Sequence, residues 1–221
     1  MIRAFFFDLD GTLLDTEVLW VQATRGFLQA HGADCTPEEA SELVYGRSWR
    51  DVYAEMVRRF PQTDCGMDRA GAELRVHLQR LRAVSDVRIT GSIELLVRLA
   101  AEHPVAIVSG SPRLDIADSV TLMGIGPCVR FFLGAEDYGP GKPDPACYLL
   151  AAEMMRVAPS DCLVFEDSAA GVRAAKAAGM RCVALVRPGA PRQDVASADL
   201  ALDNLAKFEL SDLPRKERFV Q

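Results

Sequence analysis

Ile2-Arg-Ala-Phe-Phe-Phe-Asp8-Leu-Asp10-Gly-Thr-Leu-Leu-Asp15-Thr16 is the stretch around which the chain is organised. Its first half is a short apolar run with three consecutive phenylalanines. Such a run suits a strand buried on both faces, although periodicity alone also fits a buried helix. It ends in Asp8 and Asp10. Being one residue apart, they leave an extended chain on the same side. Gly11 then permits a sharp turn. Carboxylates at the carboxyl end of a strand lie where open parallel sheets place their active sites. Two acids this close repel unless a proton or a cation intervenes, and hard oxygen donors favour Mg²⁺. Alone, an Asp-x-Asp pair can equally end a strand and begin a turn.

The same theme recurs downstream. Val105 to Val108 reads as a buried strand after Pro104, with Ser109-Gly110-Ser111 at its carboxyl end and a helix starting near Pro112. A hydroxyl, nearby backbone N–H groups and a helix N-terminus together suit a phosphate. Arg113 is the neighbouring cation. Phe131 to Leu133 is a further short strand. In Gly141-Lys142-Pro143-Asp144-Pro145 the prolines stiffen the chain around Lys142. A preorganised ammonium offsets phosphate and carboxylate charge at little entropic cost. Cys162 to Phe165 is another apolar run, followed by Glu166 and Asp167, which supply hard oxygens for a divalent site. Ser168 is a good helix N-cap, Gly171 allows close approach, and Gly179 ends that helix. A strand over 181–186 and a short last one over 199–202 complete the series. The charged tail from Ser211 should fray.

From Asp15 to about Ser85 the pattern is helical, and a separate helix follows over about 92–101. One helix starts at Asp15 or Thr16 and runs to about His31, with Gly32 past its end. Thr36-Pro37-Glu38-Glu39 is a capping-box start. Further helices span about 49–60 and 68–84. Arg58, Arg59, Arg75, Arg80 and Arg82 read as solvated helix surface. Gly46 marks a tight turn from which Arg47 and Trp49 could point at the rest of the protein. From Ser92 onward strand and helix alternate, which implies a parallel sheet covered on both faces. The expected fold is α/β: a Rossmann-like, doubly wound parallel sheet core (1–14 and 87–221) with an inserted all-α helical cap (15–86).

The chain has 221 residues, a net charge of −6 and a pI near 5.2. It offers no basic surface for nucleic acid and little attraction to anionic membranes. Six scattered cysteines without a Cys-x-x-Cys pair read as free thiols in a reducing compartment rather than a zinc or redox centre. His31, His77 and His103 read as surface or helix-end residues. With no targeting signal or spanning segment evident, a cytoplasmic protein is expected, as a monomer or weak homodimer.

Phe-Phe-Asp8-Leu-Asp10-Gly-Thr-Leu-Leu-Asp15-Thr-Glu resembles the first motif of the haloacid dehalogenase (HAD) superfamily, in the phosphatase branch that includes β-phosphoglucomutase. Ser109-Gly-Ser, Lys142-Pro-Asp-Pro and Glu166-Asp167 resemble its second, third and fourth motifs, in the right order. The resemblance implies a phosphatase acting on a small phosphate ester through an aspartyl-phosphate. Asp8 would be nucleophile, Asp10 general acid/base, and Ser109 and Lys142 holders of the phosphoryl oxygens. Leu9, Gly110, Ser111 and Arg113 would also meet the substrate. Mg²⁺ would sit among Asp8, the Asp10 carbonyl and Asp167, with Glu166 direct or through water. Arg47 and Trp20 would be the cap's contribution, Trp20 alternatively packing inside the cap.

Competing readings differ at particular residues. A haloacid dehalogenase lacks an acid where Asp10 stands. A phosphonatase needs a cap lysine, and all four lysines lie outside 15–86. A receiver-like phosphoaspartate switch would be shorter and lack a cap, and a catalytically dead module would not be expected to retain these residues. A β-phosphoglucomutase-like transferase carries a cap histidine where this chain has Trp20, whose indole has no titratable nitrogen.

Overall fold

The computed structural model describes residues 1–44, 49–188, 190 and 192–214, with the backbone only at 82 and 83. The chain divides into two compact units, Met1–Leu14 with Arg88–Gln221, and Asp15–Val87.

The first unit is built on a parallel six-stranded sheet, β1 (Ala4–Phe7), β2 (Val105–Val108), β3 (Phe132–Leu133), β4 (Cys162–Glu166), β5 (Arg181–Leu185) and β6 (Leu200–Leu202), in the order β3-β2-β1-β4-β5-β6. This is the doubly wound order, with its topological switch at the carboxyl ends of β1 and its neighbours. The three phenylalanines are fully buried because β1 is central and both its faces are covered. Ala4 and Phe6 join a cluster with Val108, Val164 and residues of α7 (Ala146–Met155) and α8 (Ala169–Ala177). Phe5 and Phe7 point oppositely; Phe7 stacks on Phe165 at 4.5 Å between centroids. The remaining core helices are α5 (Thr90–Ala100) and α6 (Arg113–Met123).

Element ends depart slightly from the sequence reading. α5 begins two residues before Ser92, at Thr90. Phe131, Val186 and Asp199 fall outside their strands. The Asp199 carboxylate accepts from the Cys182 amide at 2.7 Å and from Lys176 at 2.6 Å, acting as a clasp beside the strand. Leu213, in the segment expected to fray, is buried, while 215–221 lie outside the described residues.

The second unit contains α1 (Thr16–Ala30), α2 (Pro37–Val44), α3 (Trp49–Arg59) and α4 (Met67–Val84), and no strand among its described residues. Phe27, Leu28, Leu43, Met56 and Leu74 form its core. The capping box is present: the Thr36 amide donates to Glu39 Oε2 at 2.9 Å, and the Glu39 amide to Thr36 Oγ1 at 3.2 Å. Asp15 occupies the N-cap of α1, but its side chain makes no capping bond. Trp49 packs against this unit's own core, contrary to the expectation that it points away. Arg58 and Arg59 are drawn into ion pairs with Glu55, at 2.6 and 2.7 Å, while Arg75 and Arg80 are exposed as expected. Gly46 and Arg47 lie outside the described residues. Among the described residues no helix is long and apolar enough to cross a membrane.

Candidate active site

The candidate side chains come from the carboxyl ends of four neighbouring strands. Asp8 follows β1, Ser109 follows β2, Lys142 lies on the loop after β3, and Glu166 ends β4 with Asp167 next. The Asp8 amide donates to the Phe165 carbonyl at 3.0 Å, so the β1–β4 ladder continues into the site. Gly11, at φ +88°, turns the chain back. Its amide donates to Leu14 O at 2.7 Å, and Leu13 and Leu14 close onto Leu9 O at 2.9 and 3.0 Å. The Leu9 side chain is buried, so only its backbone can face a ligand.

Lys142 is the electrostatic centre. Its Nζ donates to Asp8 Oδ1 at 2.6 Å, Glu166 Oε1 at 2.6 Å and Val108 O at 3.0 Å, which uses all three ammonium protons. Burial alone would lower the Lys142 pKa; Asp8 and Glu166 outweigh it and hold the pKa well above the usual lysine value. Tyr148, on the first turn of α7, donates to Glu166 Oε1 at 2.9 Å and lays its ring 5.2 Å from Nζ. The other glutamate oxygen accepts from the Asp167 and Ser168 amides, both at 3.2 Å, and from Ser168 Oγ at 3.0 Å. Glu166 is fully buried and saturated with donors. A β-carbon at Gly171 would lie 1.8 Å from Glu166 Oε1, so α8 reaches the site only because that residue is glycine.

Asp10 has a different environment. Its Oδ2 accepts from Ser111 Oγ at 2.5 Å and Ser109 Oγ at 3.2 Å, and the Ser111 amide donates to Ser109 Oγ at 3.0 Å. Tyr138 Oη fixes Ser109 from behind through its carbonyl, at 2.8 Å. The two acids of the Asp-x-Asp pair are thus held apart, one by an ammonium and one by hydroxyls.

Asp8, Glu166 and Asp167 present carboxylate oxygens within 4.8 Å of one another. Burial raises the Asp8 pKa well above its usual value; Lys142 opposes the shift, and Glu166, Asp167 and Asp10 add to it. One ammonium does not offset so many acids, and a hard divalent cation would. Asp167 is held in place from two sides. Thr12 Oγ1 donates to its Oδ1 at 3.2 Å, and a β-carbon at Gly11 would stand 2.1 Å from its Oδ2. The donor set fits Mg²⁺.

The sequence profile of the haloacid dehalogenase-like hydrolases matches residues 2–179. The chain belongs to that family. This HAD-like hydrolase is 31% identical to validoxylamine A 7'-phosphate phosphatase of Streptomyces hygroscopicus subsp. limoneus, over 94% of its own length and 96% of the relative's. It is 31% identical to hexitol phosphatase A of Escherichia coli over 99% of both chains. Its fold matches a candidate β-phosphoglucomutase from Thermotoga maritima with a TM-score of 0.82 at 23% identity, covering 93% and 97% of the two chains. It is an enzyme, a phosphoric monoester hydrolase, with a Rossmann-like core and a helical cap.

The structure of this hydrolase brings together Asp8, Asp10, Ser109, Ser111, Lys142, Glu166 and Asp167. A β-carbon at Gly110 would meet nothing within 4 Å, so this turn is open to a ligand. Arg113 is turned elsewhere: its guanidinium pairs with Asp137 at 2.7 Å and stacks over Phe132. Trp20 is 36% exposed on α1. Sequence reasoning missed Thr12, Tyr138 and Tyr148. Tyr148 carried a faint signal, since a tyrosine three residues beyond Pro145 sits on the first helical turn beside the lysine loop.

Proposed function

We propose that the protein is a Mg²⁺-dependent phosphatase of a small, sugar- or polyol-like phosphate monoester, working through an aspartyl-phosphate on Asp8. The observation that carries this reading is the division of the Asp-x-Asp pair: Asp8 on Lys142, Asp10 on two serine hydroxyls. Two like groups given different partners suit two different tasks.

A carboxylate oxygen of Asp8 attacks phosphorus as the ester P–O bond breaks. Asp10 gives a proton to the leaving oxygen, the serine hydroxyls holding its carboxyl in place. In the second half, water attacks phosphorus, Asp10 takes its proton, and the Asp8–phosphorus bond breaks to release phosphate. Lys142 supplies positive charge beside the phosphoryl group, and Ser109 with the Gly110 and Leu9 backbone holds its oxygens, so positioning and electrostatics supply most of the acceleration. Arg113, engaged by Asp137, is left out of this set. Asp8 and Asp167 would hold Mg²⁺ directly, and Glu166, its oxygens taken by five donors, would act through water. When bound, the ion neutralises charge between carboxylate and phosphate and so lets them approach. Arg47 and Trp20 are the cap residues proposed to meet the substrate beyond its phosphate. Relatives named for a hexitol and for validoxylamine A 7'-phosphate support a small-molecule ester.

The test is product analysis with Mg²⁺, p-nitrophenyl phosphate and a sugar- and polyol-phosphate panel that includes β-glucose 1-phosphate with catalytic glucose 1,6-bisphosphate. Inorganic phosphate is expected, with no glucose 6-phosphate formed by transfer, and Asp8→Asn should abolish turnover while staying folded. Efficient isomerisation with little phosphate release would make the enzyme a mutase, against the Trp20 argument. Substantial activity in Asp8→Asn would overturn the mechanism.

A further inference from the structure

The helical unit carries a second group of metal-binding side chains with no part in the chemistry above. His31 ends α1, Cys65 precedes α4, and Glu73 lies one to two turns into α4. Each presents a ligand atom, and these atoms all lie within 4.8 Å of one another. The geometry points to a zinc site formed by His31 Nε2, Cys65 Sγ and Glu73 Oε2. The spacing of the cysteines and histidines along the chain gave no such indication, because the three residues come from separate segments.

Three observations favour a metal over a simple ion pair. The donors are nitrogen, sulfur and a carboxylate oxygen, a set that suits a borderline-soft ion such as Zn²⁺ and not Mg²⁺. The imidazole is already oriented: its ring packs on Phe27 at 4.4 Å between centroids, and Nε2 lies 2.8 Å from Glu73 Oε2. The carboxylate is held as well. Arg69 Nε donates to Glu73 Oε1 at 2.8 Å, which leaves Oε2 for the ion and supplies the outer partner that metal-binding groups commonly have. Cys65 is a free, partly exposed thiol whose Sγ donates only at long range to Gly66 O, 3.9 Å away. Gly66, at φ +88°, turns the chain directly after it.

The His31 and Glu73 side chains are 21% and 35% exposed, so solvent reaches the site and can fill a fourth position. Zinc entering between Nε2 and Oε2 replaces the hydrogen bond there. It forms bonds of about 2.0–2.3 Å to nitrogen, sulfur and oxygen. The Cys65 thiol proton, and any proton on the imidazole, pass to solvent. The bound ion ties the end of α1 to the start of α4, so it binds the folded unit in preference to the unfolded chain and stabilises it.

The probe is Co²⁺, added to the full-length protein under saturating Mg²⁺ and reducing conditions. A thiolate–cobalt charge-transfer band is expected at one ion per chain, displaced by Zn²⁺, with Zn²⁺ raising the unfolding temperature. Outer partners alone change affinity by about 10–100-fold, so losing a ligand atom in Cys65→Ser or His31→Gln should weaken binding at least about tenfold. The band should vanish in Cys65→Ser and persist in Asp167→Ala, which separates this site from the acidic cluster. Circular dichroism without metal checks that the variants fold, and the wild-type titration stands independently of them. Absence of the band, or a band that survives Cys65→Ser or is unaffected by His31→Gln, would overturn the assignment.

Discussion

Replacing Lys142 with methionine removes the ammonium and nearly preserves the side chain's volume. Nζ makes three hydrogen bonds, two of them to carboxylates at 2.6 Å. The side chains involved are 10% exposed for Lys142, 9% for Asp8 and 0% for Glu166, so water screens them poorly. Breaking a buried ion pair from one side costs about 3–5 kcal/mol, against a total stability of about 5–15 kcal/mol. The loss depends on pH. Burial already raises the Asp8 pKa, and Lys142 is what opposes it, so the substitution pushes that pKa higher still. An acid whose folded pKa lies above its unfolded value loses stability as pH rises through that interval. The deficit of Lys142→Met should therefore be smallest near pH 4 and grow toward pH 8. Lys142 itself has a raised pKa, so its contribution in the parent is complete below the ordinary lysine value and is lost only as pH rises through the folded one. Between pH 4 and 8 the difference curve thus reports the carboxylates. Urea unfolding in EDTA, followed by far-UV circular dichroism, measures it. Both tryptophans, Trp20 and Trp49, lie in the helical unit, so their fluorescence follows that unit separately. A deficit under about 1 kcal/mol at pH 8, or one that does not change with pH, would refute the view of Lys142 as a buried counter-ion.

Two further predictions concern the acidic corner proposed to hold Mg²⁺. Gly11→Ala places a methyl group 2.1 Å from Asp167 Oδ2 at φ +88°, so Asp167 must move; a stability loss of about 1–3 kcal/mol and a raised Mg²⁺ requirement are expected, read by urea midpoint and metal titration of turnover. Asp167→Ala should abolish activity or raise the Mg²⁺ needed for half-maximal rate at least about tenfold, and full activity in EDTA-stripped enzyme would sink the metal-dependent mechanism.

The parts legible in the sequence were those where local chemistry and tertiary role coincide. Phe5, Phe6 and Phe7 read as a doubly buried strand because a central parallel strand has no polar face. Thr36 and Glu39 announced a helix start because a capping box is complete within four residues. Ser168 did the same, its hydroxyl accepting from the Gly171 amide at 2.9 Å. Lys142 stood out because prolines rarely surround a freely mobile lysine. Residues whose role depends on a distant partner escaped. Arg113 looked like a phosphate cation until Asp137 claimed it. Tyr148 looked like any apolar helix residue, yet its hydroxyl reaches Glu166, 18 positions away. Asp15 had the right type for a cap, but its side chain makes no capping bond.

The central position of β1 has a consequence for the protein's synthesis. Phe5 pairs with Val105 on one side and Leu163 on the other, with the whole helical unit encoded before either. At about 5–20 residues per second, this wholly apolar strand waits roughly 5–30 seconds for its neighbours to emerge from the ribosome. During that interval the helical unit, whose segments are contiguous, can collapse on its own, while Phe5, Phe6 and Phe7 remain an unpaired sticky edge. The strand that carries Asp8 at its end therefore stays unpaired while about a hundred further residues are made, and slower translation lengthens its exposure.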